Sequence, residues 1–222
     1  MKTLFSQEEQ MLHRLVLHAN DVPARGLFYG QMGIVLSLSE YMRKRQLSVL
    51  KNAVNFLLDQ VLGHLDRKAS LDFSDGLTGI GWGIEYLLQN KFQRGCGAEI
   101  CAEIDQKMME RNLFRISDMT LDSGLLGWLH YLAAHLQGAL KDGKEVFDSD
   151  YRQQCLEFLK RVECSADDGQ AKHLSRTVCR LLEGRPERYE FNLKGWVLPD
   201  ARKEQNLLGL RNGLAGRLLL FL

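Results

Sequence analysis

Three aspartates each stand just ahead of a glycine that begins a predicted helix, and they are the first candidates for chemistry: Asp75, Asp122 and Asp168. Glycoside hydrolysis uses a pair of carboxyl groups about 5–10 Å apart. Helices that start around one mouth would bring these carboxylates together, so a hydrolase acting on carbohydrate is one interpretation. A short acidic side chain here is also a good helix N-cap, because it accepts hydrogen bonds from the unpaired N–H groups of the first turn. The sequence leaves both interpretations open.

His130 is the histidine best placed for chemistry, because it lies one turn after Gly127 on a predicted apolar helix. An imidazole at this position could act as a general base or as a ligand. A hydrogen-bonded core histidine fits the same position. His130 is therefore a candidate catalytic residue with a structural alternative.

The cysteines give no sign of a metal site. A zinc site needs three or four Cys, His or carboxylate ligands that converge on one point, and the spacing predicts no such group. We therefore expect no metal and no other cofactor. The cysteine count is odd and no secretory signal is recognised, which favours reduced thiols and a cytoplasmic location. The five residues are Cys96, Cys101, Cys155, Cys164 and Cys179.

Four aromatic residues occupy matching places in two successive predicted helices. Trp82 and Tyr86 lie in the first helix, and Trp128 and Tyr131 lie in the second. Rings at this spacing could line a groove for an extended peptide. Large aromatic side chains at helical spacing are also common in protein cores, so both placements are open.

The elements that carry these residues repeat along the chain. The first glycines of the Gly-x-x-Gly pairs give spacings of 76−30 = 46, 124−76 = 48 and 213−124 = 89. Asp168-Gly169 lies where the missing unit is due, although its second glycine is lost. A fixed period of this size is typical of stacked supersecondary units. We therefore predict five repeats, the fourth of them degenerate.

Two kinds of helix alternate within these repeats. The glycine-opened helices are apolar on almost every face, which is typical of a buried helix, whereas the others are amphipathic. This alternation predicts an all-α fold, with residues 1–222 forming a single domain of about five helical hairpins in an α/α toroid or arc. A long ordered loop with a short strand is expected over 183–204. The glycine-opened segments are 30–44, 76–90, 124–137 and 167–182, with a last one that begins at Gly213. The amphipathic segments are one that is capped by Ser6 and ends at 20–23, followed by 47–65, 98–109 and 151–162.

The composition excludes several classes of partner. The formal net charge is +1 over 222 residues, which gives no electrostatic basis for binding nucleic acid. No apolar run reaches the roughly 18 residues that a membrane span needs. An open arc of hairpins would leave apolar faces at its ends, which predicts a homodimer or another protein partner.

The second repeat reads GLTGIGWGIEYL over residues 76–87, and the last begins NGLAG at 212–216. These runs resemble the lanthionine synthetase C-like family, and the repeat pattern extends the resemblance over nearly the whole chain. The resemblance implies a toroid of α-helical hairpins. In that family a zinc ion activates the thiols of a precursor peptide, which then add to dehydroamino acids during maturation of a ribosomally made peptide.

The chain departs from the family in length and in its expected zinc ligands. It has five repeats where the family has seven, and it has no Cys-His dipeptide. The family places a cysteine, or a Cys-His pair, just before late inner-helix glycines. Here Leu210, Arg211 and Asn212 precede Gly213, and Ala166, Asp167 and Asp168 precede Gly169.

We therefore expect a zinc-less component that binds a precursor peptide or a companion modification enzyme without catalysing cyclisation. The sequence does not decide whether the chain is an enzyme. Besides the hydrolase, a third alternative is a cyclase whose zinc is held by other ligands.

Overall fold

The computed structural model describes residues 6–63, 65, 68–165, 168–198 and 207–222. These residues form ten α-helices and no strand, which confirms the predicted all-α class. The helices are α1 Gln7–His18, α2 Gln31–Arg45, α3 Lys51–Leu62, α4 Leu77–Gln89, α5 Gly97–Ile100, α6 Ala102–Met109, α7 Leu125–Lys141, α8 Ser149–Ser165, α9 Gly169–Leu182 and α10 Leu214–Leu219. Instead of the predicted short strand, the described part of 183–204 holds a 3₁₀ turn at Lys194–Trp196. The rest of that loop lies outside the described residues.

The chain separates into two compact units. Unit 1 comprises described residues from Met1–Leu65 and Asn192–Leu222, and unit 2 comprises those from Asp66–Phe191. In unit 1, α2 packs against α3 and α10, and α1 packs against α10. In unit 2, α7 packs against α4, α5 and α9, while α8 packs against α9. No helix of the described residues is both long enough and apolar enough to cross a bilayer.

Four helices begin with the same backbone arrangement. The N-cap is a glycine with extended backbone, and the next residue donates its N–H to a carbonyl seven residues earlier. A Cβ atom on any of these N-cap glycines would overlap the preceding loop. This close approach is the physical reason for glycine at these four helix starts. The donor and acceptor pairs are Gln31 and Ala24 (3.0 Å), Leu77 and Ser70 (2.9 Å), Leu125 and Asp118 (2.8 Å), and Leu214 and Leu207 (3.0 Å).

The structure corrects part of the capping prediction. Asp168 is an N-cap, because its carboxylate accepts from the Gln170 N–H at 2.8 Å. For α4 and α7 the N-cap is the glycine itself, and no side chain caps those helices. Asp75 and Asp122 therefore belong to the preceding loops, where the Asp122 carbonyl accepts hydrogen bonds from Phe73 and Ser74.

The glycine-opened helices of the first three repeats are buried on nearly every face, as predicted. In α4 every residue from Leu77 to Leu87 is buried. The fourth repeat differs, because α9 buries only one side and its Gly169 has open space where a Cβ would lie. The prediction that this helix is apolar all round is therefore wrong.

Candidate functional site

A cluster of ionisable side chains lies in the core of unit 2. The His135 ring is held between two carboxylates, with Nδ1 2.8 Å from Glu85 Oε1 and Nε2 2.9 Å from Asp105 Oδ2. Glu85 and His135 are 1% and 0% exposed, and Asp105 is 5% exposed. Buried charges are rare in proteins unless they are paired. We therefore define Glu85, Asp105 and His135 as the buried ionic cluster.

Three helices supply this cluster, and two glycines make room for it. Glu85 comes from α4, Asp105 from α6 and His135 from α7. A Cβ atom on Gly97 or Gly138 would overlap the Glu85 carboxylate. The absence of side chains at these two positions therefore allows the carboxylate to lie against backbone inside the core.

The remaining carboxylate oxygens of the cluster also have partners. Gln89 Nε2 donates to Glu85 Oε2 at 2.8 Å, and the Tyr131 hydroxyl donates to Asp105 Oδ1 at 2.7 Å. The Tyr131 ring stacks on His135 with centroids 5.2 Å apart. Each carboxylate thus has a hydrogen-bond donor on both oxygens, as a buried anion requires.

The surroundings set the charge of each group. Burial favours the neutral imidazole, but hydrogen bonds to Asp105 and Glu85 and their negative charges outweigh it and raise the pKa of His135 to about 9. Burial and the same carboxylates raise the pKa of the neighbouring Cys101 thiol well above its usual value.

A set of three residues could hold a metal ion at the same place. Ligand atoms of Glu85, Cys101 and His135 all lie within 4.8 Å of one another, and all three residues are buried. Cys101 follows α5 and comes immediately before α6. The spacing of the cysteines gave no indication of this group, because its members come from three separate segments.

A polar pocket of about 390 Å³ lies in the same unit. Gln89 connects it to the cluster, because this pocket residue donates to Glu85 and accepts from Lys141 Nζ at 3.0 Å. Side-chain amides and two cations dominate the lining. The lining residues are Gln89, Asn90, Gln137, Lys141, Arg188, Tyr189, Glu190 and Phe191.

One wall of the pocket is the non-helical segment 188–191, which side chains of α4 and α7 hold in place. The Gln137 amide pairs with the backbone of Tyr189, accepting from its N–H at 2.7 Å and donating to its carbonyl at 3.3 Å. The Tyr189 hydroxyl accepts from Trp82 Nε1 at 2.8 Å and lies 2.8 Å from His130 Nδ1. The Phe191 ring meets Trp82 edge-on at 5.3 Å. These contacts fix the segment by its backbone and its aromatic rings.

His130 is a core residue in this arrangement. It is 6% exposed, and burial lowers its pKa to about 4. The ring is therefore neutral near pH 7, and its Nδ1 can accept a hydrogen bond from the Tyr189 hydroxyl. His130 is therefore a buried, hydrogen-bonded residue, and its candidacy as a catalytic residue stays a prediction.

The four predicted peptide-binding rings also lie in the core. Trp82 is 0% exposed and Tyr86 7% exposed, and both contact Phe191 of the non-helical segment. Trp128 meets Phe158 edge-on at 6.1 Å, and Tyr131 donates to Asp105. Two of these rings therefore hold a peptide segment, but that segment belongs to the chain itself.

The predicted carboxylates lie elsewhere. Asp75 and Asp168 are exposed, and Asp122 is partly exposed. None of them belongs to the buried ionic cluster. Two cluster residues, Glu85 and His135, were not among the predicted site residues. The sequence nevertheless held a signal for them, because both are polar residues inside apolar helices. Asp105 gave no signal, because acidic residues are ordinary on an amphipathic helix.

Comparisons of the chain with protein-family models, with curated proteins and with solved structures find no match.

Proposed function

We propose that this chain is a lanthionine synthetase C-like component of ribosomal-peptide maturation that binds a peptide without cyclising it. The proposal includes an arrangement of the hairpins as a toroid or arc. It also includes a precursor peptide or a companion enzyme as the partner, and formation of a homodimer. The repeated glycine-opened helix starts support it, since they are the feature on which the resemblance rests.

The observation that best supports the peptide-binding role is the set of contacts by which side chains of α4 and α7 hold the segment around Tyr189. A side-chain amide that pairs with a backbone N–H and carbonyl does not depend on the bound residue's side chain. Aromatic rings beside it supply apolar contact with specific geometry. These are general means of holding a peptide, and Tyr189 and Phe191 also line the polar pocket.

The pocket lining indicates which peptides it would bind. Lys141 and Arg188 supply positive charge, and Asn90 and the amides beside it supply donors and acceptors. Arg188 is 85% exposed at its side chain and lies 3.6 Å from Glu190. A peptide carboxylate can replace that weak surface pairing, since an exposed ion pair contributes only about 0–1 kcal/mol. We propose that the peptide carries an acidic side chain at this point.

The proposed lack of cyclisation rests on the residues at the family's ligand positions. Leu210, Arg211 and Asn212 precede Gly213, where the family has a zinc-binding cysteine. None of these three is a usual zinc ligand. A thiol-activating metal at the family's position therefore has no support in this chain.

A selection from a displayed library of random peptides tests this proposal. We expect the wild-type protein to enrich acidic peptides and the variant Arg188→Glu to lose them. The matched control is Lys160→Glu, which reverses an exposed charge on α8 outside the pocket. Enrichment no greater than on an unrelated protein, or equal enrichment by both variants, would contradict the proposal.

A further inference from the structure

We propose that Glu85, Cys101 and His135 form a structural site for a divalent transition metal, and that zinc is the ion that suits them. The three residues offer oxygen, sulfur and nitrogen ligands, the set that zinc binds in proteins. The inference is independent of the peptide-binding role, because the site lies inside the core of unit 2.

The positions of the three side chains suit a zinc ion. Zinc bonds of about 2.0–2.3 Å place tetrahedral ligand atoms roughly 3.3–3.8 Å apart. The ligand atoms here already lie within 4.8 Å of one another, and His135 Nδ1 is 2.8 Å from Glu85 Oε1. Small side-chain rotations are therefore enough to close the site. The three residues fill three of the four tetrahedral positions.

Asp105 is positioned to hydrogen-bond the histidine ligand without binding the metal itself. Histidines that bind metal through one ring nitrogen usually donate the other N–H to a carboxylate, which fixes the ring orientation. His135 Nε2 lies 2.9 Å from Asp105 Oδ2, and the Tyr131 hydroxyl holds the other oxygen of Asp105. Gln89 likewise orients Glu85, because its side-chain amide donates a hydrogen bond to Glu85 Oε2. The surroundings of the three ligands are thus already arranged as in a metal site.

The exchange of protons for metal balances in charge. Binding removes one proton from His135 Nδ1 and one from the Cys101 thiol, and both protons pass to solvent. The dication replaces those two positive charges, so metal binding leaves the net charge of the core unchanged. A bound dication also favours the thiolate form of a coordinating cysteine.

The role we infer is structural, because the site is closed. Cys101 and His135 are 0% exposed, and Glu85 is 1% exposed. A catalytic zinc keeps an open position for water or substrate, whereas a structural zinc is enclosed by its ligands. A metal here would join α4, the α5–α6 junction and α7.

Zinc titration of the reduced, chelator-treated protein tests the site, with a chromophoric chelator as competitor. We expect one zinc ion per chain and a higher thermal midpoint. Asp105→Asn should weaken binding by roughly 10–100-fold, as loss of an outer-shell partner does, and Cys101→Ser should weaken it further. Cys155→Ser, which alters a buried thiol outside the group, should bind zinc as the wild type does.

Cobalt provides a second readout that does not depend on the variants' stability. Wild-type protein with bound cobalt should show a thiolate-to-metal charge-transfer band. No tight zinc binding, no such band, or equal affinity in Cys101→Ser and Cys155→Ser would each overturn the proposal.

Discussion

At the scale of single residues, Glu85 shows how the chain keeps a charge inside an apolar helix. Removing a carboxylate from water is costly unless opposite charge and hydrogen bonds replace the water. His135 supplies the opposite charge, and Gln89 supplies a second donor. Gly97 and Gly138 supply the space. The cluster is therefore a set of mutually dependent residues. Removal of one partner would leave the others buried without the interactions that stabilise them, and the free energy of unfolding would fall.

The variant Gln89→Ala tests this dependence. It removes the donor to Glu85 Oε2, so we expect the free energy of unfolding to fall by about 1–3 kcal/mol, the cost of an unsatisfied buried group. Urea unfolding measures the change. Gln153→Ala on α8 is the control, because Gln153 is exposed and its Nε2 lies 3.3 Å from Glu157. Equal stability of the two variants would show that the Gln89 contact is unimportant.

His130 makes stability depend on pH in a defined direction. Its pKa is about 4 in the folded chain and about 6.5 when unfolded, so protonation favours unfolding. Stability from this group is complete above pH 6.5 and is lost as the pH falls towards 4, a total of about 3 kcal/mol. Urea unfolding between pH 4 and 7 should show this loss in the wild type and not in His130→Gln. Parallel pH profiles for the two proteins would contradict the assignment.

At the scale of elements, the repeated helix start is the feature that sequence reasoning predicted best. The Gly-x-x-Gly spacing and the apolar periodicity located the helices to within a few residues. The reason for the glycines was less accessible, because it depends on how the preceding loop folds over the helix. The loop's N–H and carbonyl groups pass where a Cβ atom would stand. A sequence pattern shows that glycine recurs, but not which backbone it must avoid.

The buried ionic cluster could not be predicted from the sequence, for a related reason. Its partners lie 50 and 30 residues from His135 along the chain. Their meeting depends on the packing of three helices, and periodicity fixes which face of a helix is buried without fixing what it contacts. The polar residues Glu85 and His135 inside apolar runs were the only available hint.

The variant Gly124→Ala tests the helix-start explanation. A Cβ at this position would lie 2.5 Å from the Asp118 carbonyl and 2.6 Å from the Thr120 nitrogen, so the loop must shift. We expect a loss of about 1–3 kcal/mol in the free energy of unfolding, as for other overpacked sites. Gly169→Ala changes the corresponding glycine of the fourth repeat, where nothing lies within 4 Å. That control should be neutral or more stable by up to about 1 kcal/mol, and equal losses in both variants would contradict the explanation.

At the scale of the whole molecule, the chain consists of two units built in different ways. Unit 1 combines segments from both ends of the sequence, whereas unit 2 uses one continuous stretch. Unit 2 contains the buried ionic cluster, the polar pocket and the non-helical segment around Tyr189. A continuous stretch with its own core can in principle fold alone.

We therefore predict that a fragment of residues 68–191 folds without the rest of the chain. Its circular dichroism spectrum should be helical, and its thermal unfolding should be cooperative because its large side chains Trp82 and Trp128 are both buried. A largely unstructured spectrum would show that unit 2 depends on unit 1 for its stability.

The proposed peptide-binding role is tested most directly by amide hydrogen exchange with and without a peptide obtained from the library selection. We predict slower exchange at the ends of α4 and α7 near Asn90 and Lys141 and in the segment 188–191, with α8 unchanged. Protection confined to unit 1 or to α8, or no protection at saturating peptide, would contradict the account.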